Sequence, residues 1–153
     1  MTSLASKVIE ALAGKTLATA ESCTGGMIGQ MLTGVSGASA VYKGGIISYT
    51  NAVKQSVLGV DSKMLADLGA VSAPVAEAMA VGARKTLNAD VAVSVTGLAG
   101  PGGDEFGNPV GTVFIGFASA SDREVQEFHF SGDRDSVRRQ AAEAALKLIL
   151  KNI

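Results

Sequence analysis

The sequence predicts an α/β protein, three layers deep (α/β/α) around a mixed central sheet. Three observations predict it. Segments with helical apolar spacing alternate with short apolar runs through most of the chain. Two strands joined by a tight turn come late, and a long helical stripe closes the sequence. Alternation favours parallel strands with helices on both faces, and the late hairpin makes the sheet mixed.

The elements follow in order. Leu4, Val8, Ile9 and Leu12 recur at helical spacing, and Gly14 is a natural stop. Residues 16–20 read as a buried strand that runs into the turn "ESCTGG". Met27, Ile28, Met31, Leu32 and Val35 mark one face of a second helix. "VYKGGIISYT" reads as a strand in which Gly44 and Gly45 permit a bend, a bulge or a hairpin turn.

Asn51 is a good N-cap for a short helix ending near Leu58. A small helix over residues 62–68 stops at Gly69, and Ser72 with Pro74 opens a longer one to about Leu87. "DVAVSVTG" is a strand leading into a loop dense in Gly and Pro, "LAGPGGDEFGNPVG". "TVFIGFAS" and "EVQEFHF" form the hairpin. A helix over about residues 135–150 carries the stripe Val137, Ala141, Ala144, Ala145, Leu148 and Ile149.

The 153 residues suit one domain spanning 1–153, and 47% hydrophobic against 18% charged residues reads as globular. With a formal net charge of -1 and interspersed signs, the chain lacks the basic stripe that nucleic acid requires. No apolar run reaches the roughly 18 residues of a membrane span, and the first fifteen residues lack a secretory signal pattern. A cytoplasmic protein without nucleic-acid or membrane partners is the expectation. The single Cys cannot close an internal disulfide, and with the single His it forms no zinc cluster. Neither a metal nor a cofactor is called for.

Three constellations carry chemistry. In "ESCTGG", Ser22 stands between a strand and a helix, where the N–H groups of Thr24, Gly25 and Gly26 are candidates to hold an oxyanion. Ser22 or Thr24 acting only as a helix cap is the structural alternative. In "SYTNAVK", Tyr49 ends a strand and Lys54 falls in the first turn of the next helix. There the helix dipole opposes a cation by about 0.3–1 kcal/mol and favours the neutral amine, as does desolvation. An exposed Lys covering apolar surface is the alternative.

The third constellation pairs the loop "TGLAGPGG" with "SGDRDSVRR". The loop's glycines let backbone approach a ligand, and Arg134, Arg138 and Arg139 crowd a helix start where an anion such as phosphate would resolve the conflict. Pairing with Asp133, Asp135 or Glu143 is the alternative. Cys23 has no His near it in sequence to activate it, which favours an inert thiol over a nucleophile. His129 alternates with Phe128 and Phe130 and reads as a partly solvated strand residue beside Glu127 and Val125. A Ser and a Lys without a His base are a known nucleophile pair.

"TAESCTGG", "GGIISYTNAVK", "GAVSAPVAEAMAVGAR", "VSVTGLAGPGG", "PVGTVFIGFA" and "FSGDRDSVRRQAAEAAL" together resemble the C-terminal domain family of the competence/damage-inducible protein CinA. The resemblance runs in order over about residues 4–150. It implies an α/β/α domain that deamidates nicotinamide mononucleotide to nicotinate mononucleotide and ammonia. It also implies Ser22 as nucleophile, with Tyr49 and Lys54 matching the family's Tyr and Lys and Lys54 expected to take the serine proton directly or through Tyr49. Thr96, Gly97, Ala99 and Gly100 would then line the nucleotide pocket, and Arg134 or Arg138 would hold the phosphate. A homodimer is expected from the resemblance alone. Longer relatives carry an N-terminal domain linked to ADP-ribose pyrophosphatase activity, which these 153 residues are not expected to include. Two rivals stay open: a nucleotide-sensing module without turnover, and a hydrolase using Cys23.

Overall fold

The computed structural model describes residues 2–153. Its five strands are β1 (Leu17–Glu21), β2 (Tyr42–Ile47), β3 (Val91–Gly97), β4 (Thr112–Ala118) and β5 (Arg123–His129). They form one sheet in the order β2-β1-β3-β4-β5. β1 runs parallel to β2 and β3, whereas β4 and β5 are antiparallel additions. The mixed α/β sheet expected from the alternation is therefore the one observed.

Six α-helices cover it: α1 (Leu4–Ala11), α2 (Met27–Thr33), α3 (Asn51–Ser56), α4 (Ser62–Leu68), α5 (Ala73–Thr86) and α6 (Arg134–Lys151). The two faces of the sheet differ in side-chain size. Leu17, Val91, Val93, Val95, Val113, Ile115 and Phe117 pack with α1, α2 and α6. Ala18, Ala20 and Ala92 face Val75, Met79 and Ala83 of α5. Small residues there bring helix and sheet so close that Ser94 Oγ donates to the Ala76 carbonyl at 2.5 Å. A Cβ on Gly116 would lie 2.6 Å from the same carbonyl, so only glycine fits.

Three local expectations needed correction. β2 ends at Ile47, so Tyr49 lies beyond the strand. Of the bend, bulge and hairpin turn that Gly44 and Gly45 permit, the bulge is the one observed. Leu17 pairs with Tyr42 and Ala18 with Gly44, which leaves Lys43 as the extra residue of a bulge. α3 is capped by the Thr50 side chain, which accepts from the Val53 N–H, and Asn51 is its first residue. Because α3 has only six residues, Lys54 lies in its last turn, and the expected opposition from a helix N-terminus does not arise.

Candidate active site

The parallel strands β1 and β3 end beside the turn after β1, at the place where strand order changes direction. Gly25 and Gly26 take left-handed backbone angles (φ 58° and 102°), which turn the chain sharply from β1 into α2. The cap alternative for Ser22 and Thr24 fails here. The residue before α2 is Gly26, without a side-chain cap, and the helix start is satisfied from the strand behind it. Glu21, 2% exposed, accepts from Ile28 N–H at 2.9 Å, Gly29 N–H at 3.0 Å and Thr24 Oγ1 at 2.7 Å. Ser22 is thereby relieved of a capping duty.

Ser22 instead meets Lys54. The Lys54 Nζ donates to Ser22 Oγ at 3.0 Å and to the Ser48 carbonyl at 2.7 Å. Ser48 is tied to β1 by its own N–H, which donates to the Glu21 carbonyl at 2.8 Å. Lys54 is 1% exposed and, among the described residues, forms no salt bridge. Burial pushes its ammonium down from 10.5 to about 8, opposed in part by the neighbouring Cys23. The amine is thus neutral in an appreciable fraction of molecules near neutral pH. In that form Ser22 can donate its proton to the Nζ lone pair, with no third side chain needed between them.

Cys23 is buried, and burial pushes its thiol up from 9.0 to about 11. It is protonated at neutral pH and therefore a poor nucleophile. His129 lies on β5, with its Nε2 2.7 Å from Glu127 Oε2, and it does not line the cavity beside Ser22. It occupies the strand position expected for it.

That cavity holds about 320 Å³ and is lined by Ser22, Cys23, Tyr49, Asn51 and Lys54 on one side. Thr96, Gly97, Ala99, Gly100 and Arg134 line the other, so the glycine loop and the helix start that were paired from sequence do meet. Arg134 Nη1 donates to the Gly100 carbonyl at 2.5 Å and Nη2 to the Tyr49 hydroxyl at 3.3 Å. Two of the five guanidinium donors are thus used, and others are left for an anion. Tyr49 is 60% exposed and stands at the rim, against Arg134 rather than between Ser22 and Lys54.

Thr24, Gly25, Gly26 and Arg138 do not line the cavity. Thr24 is buried against Glu21, and Arg138 lies behind the turn, donating to the Cys23 and Thr24 carbonyls. Several contributors had no role in the site assigned to them from the sequence. The Ser48 carbonyl is backbone, and no side-chain pattern announces it. The Glu21 anchor had a signal, an acid at the end of an otherwise apolar strand directly before a glycine turn. Asn51, Ala70, Val71, Leu98 and Gly102 complete the wall from segments whose sequence marked them as helix or loop. Among the described residues, no group of three or more His, Cys, Asp and Glu side chains is placed to hold a metal ion. No helix there is long and apolar enough to cross a membrane.

Comparison with known proteins adds four findings. The family described as "CinA C-terminal domain" matches residues 1–153. A CinA-like protein from Anaeromyxobacter dehalogenans is 52% identical over 136 residues, covering 89% of this chain and 33% of that protein. The nicotinamide-nucleotide amidohydrolase PncC of Escherichia coli is 47% identical over 137 residues, 89% of this chain and 83% of PncC. The crystal structure of a competence-damaged protein (CinA) superfamily protein from Escherichia coli superposes with a TM-score of 0.96 at 34% identity. That match covers 99% of this chain and 90% of the other. The chain spans about a third of the length of the CinA-like relatives it matches.

Proposed function

We propose, from the premise that the chain belongs to the CinA C-terminal domain family, that it hydrolyses the carboxamide of nicotinamide mononucleotide to nicotinate mononucleotide and ammonia. The observation that carries the reading is the buried Lys54 amine on the Ser22 hydroxyl at 3.0 Å, facing the cavity. The 47% identity to an amidohydrolase of that nucleotide supports the substrate. A cavity of about 320 Å³ lies at the small end of ligand sites and suits a mononucleotide.

In this reading Ser22 Oγ bonds to the carboxamide carbon as its proton passes to Lys54 Nζ. The turn supplies the oxyanion donors. Gly25 N–H is taken by the Ser22 carbonyl and Met27 N–H by the Thr24 carbonyl. Among the described residues the N–H groups of Cys23, Thr24 and Gly26 have no such acceptor, and since Cys23 alone of these residues lines the cavity, its N–H is the first donor at hand. Collapse of the tetrahedral species breaks the C–N bond, and the Lys54 proton leaves with ammonia. Water then attacks the nicotinoyl ester, gives a proton to Lys54, and Ser22 Oγ leaves and recovers its proton. Arg134 holds the 5′-phosphate, with Thr96, Gly97, Ala99 and Gly100 along the nucleotide. Tyr49 closes the rim and orients Arg134.

The test is incubation of the purified protein and its Ser22→Ala variant with nicotinamide mononucleotide, measuring ammonia and nicotinate mononucleotide. Products from the wild type alone are expected. Tight binding without ammonia from the wild type would mark a nucleotide-binding module instead. Activity retained in S22A but lost in C23A would make Cys23 the nucleophile.

A further inference from the structure

We propose that Arg138 is a positioning residue that holds the nucleophile turn in place and does not ligate the substrate's phosphate. The proposal rests on Ser22 being the reacting hydroxyl. Arg138 and Arg134 are four residues apart on α6, and charge alone makes them equivalent phosphate ligands. Their surroundings separate them. Arg134 lines the cavity, whereas Arg138 does not.

The Arg138 guanidinium reaches across from α6 to two successive carbonyls of the turn. Nε donates to Cys23 O at 2.9 Å and Nη2 to Thr24 O at 3.1 Å. Its remaining nitrogen, Nη1, lies 3.9 Å from Asp135 Oδ1. A cation whose planar fork is spread over two carbonyls, with a carboxylate beside it, has little left to offer a phosphate.

The grip has a geometric consequence. In a trans peptide the C=O and the following N–H point in opposite directions. Holding the Cys23 carbonyl toward α6 therefore turns the Thr24 N–H away from α6, and that N–H is one of the donors the turn leaves free. Glu21 holds the same turn through the Thr24 side chain. Arg138 fixes its peptide planes.

The experiment compares wild type with R138A, R138K and R134A in three readings. These are affinity for nicotinamide mononucleotide by calorimetry, steady-state deamidation, and the rate at which an aryl sulfonyl fluoride labels Ser22. In R138A, kcat and labelling should fall about ten- to a hundredfold while nucleotide affinity stays within about twofold. R138K should be intermediate, because an ammonium cannot reproduce the two-point fork. R134A should lose more in affinity than in labelling. If R138A does not fold, R138Q takes its place in the same comparison. Labelling at the wild-type rate, or equal losses in affinity and labelling, would overturn the proposal. A wild-type protein that binds no nicotinamide mononucleotide would end the deamidase reading, while Ser22 labelling would still decide the role of Arg138.

Discussion

Glu21 and Lys54 are charged side chains taken almost wholly out of water in the same corner of the molecule, and the fold treats them in opposite ways. Glu21 receives two backbone N–H groups and a hydroxyl, so its carboxylate is saturated by donors that folding has to satisfy anyway. Lys54 is given a carbonyl and a hydroxyl but no carboxylate, so its charge is left without a counter-ion and burial lowers its proton affinity. A short backbone link joins the two, because Ser48 donates its N–H to the Glu21 carbonyl and accepts from Lys54 through its own carbonyl. Burial with full hydrogen bonding makes an anchor. Burial without a counter-charge makes a base.

The contrast is broken most severely at Lys54. The K54M variant should lose about a thousandfold or more in kcat, measured by ammonia release, because Ser22 loses its proton acceptor. The same variant should unfold no more easily than wild type at pH 7, since an apolar side chain replaces an uncompensated buried charge. Linkage fixes the sign of its pH dependence. The folded-state value of about 8 lies below the ordinary 10.5, so between those limits the unfolded chain binds more protons and the Lys54 contribution rises with pH. The stability gap between K54M and wild type should therefore close by about 3 kcal/mol from pH 8 to 10.5, which paired denaturation curves would read.

Glu21 should behave in the reverse order. In E21Q an amide nitrogen replaces one acceptor and meets N–H donors, so unfolding should become easier by about 1–3 kcal/mol at neutral pH. Its kcat should fall less than that of K54M, because the Ser22–Lys54 pair itself is intact. A stable, inactive E21Q beside an unstable K54M would invert the comparison.

The rim gives smaller effects. R134A should raise KM about tenfold, as expected for one charge-assisted phosphate contact, with a lesser change in kcat. Y49F should change kcat by less than about tenfold, because the Tyr49 hydroxyl is against Arg134 and Lys54 reaches Ser22 without it. A loss in Y49F as large as in K54M would place a tyrosine relay between serine and lysine.

The sequence made the α/β alternation legible because apolar spacing is a local property, and it brought Ser22, Lys54 and the glycine loop forward by residue type. It misplaced what depends on lengths and backbone. Nothing in "SYTNAVK" says that α3 stops after six residues, so a helix dipole was expected to act on Lys54 alongside desolvation, when burial is what lowers it. Thr50 outcompeted Asn51 as cap although both residue types serve that role. Arg134 and Arg138 are alike in sequence, and only the path of α6 past the turn tells a cavity-lining cation from one turned onto carbonyls. The Ser48 carbonyl had no sequence signal at all, since every residue carries one.

The central claim is that a buried, readily neutral Lys54 activates Ser22, and the pH dependence of kcat/KM for nicotinamide mononucleotide tests it most directly. With Lys54 as base, the rate should climb about tenfold per pH unit below about 8 and level off above it, following the free enzyme's amine. A profile that is flat from pH 6.5 to 9.5, or that breaks only near the ordinary lysine value, would contradict it.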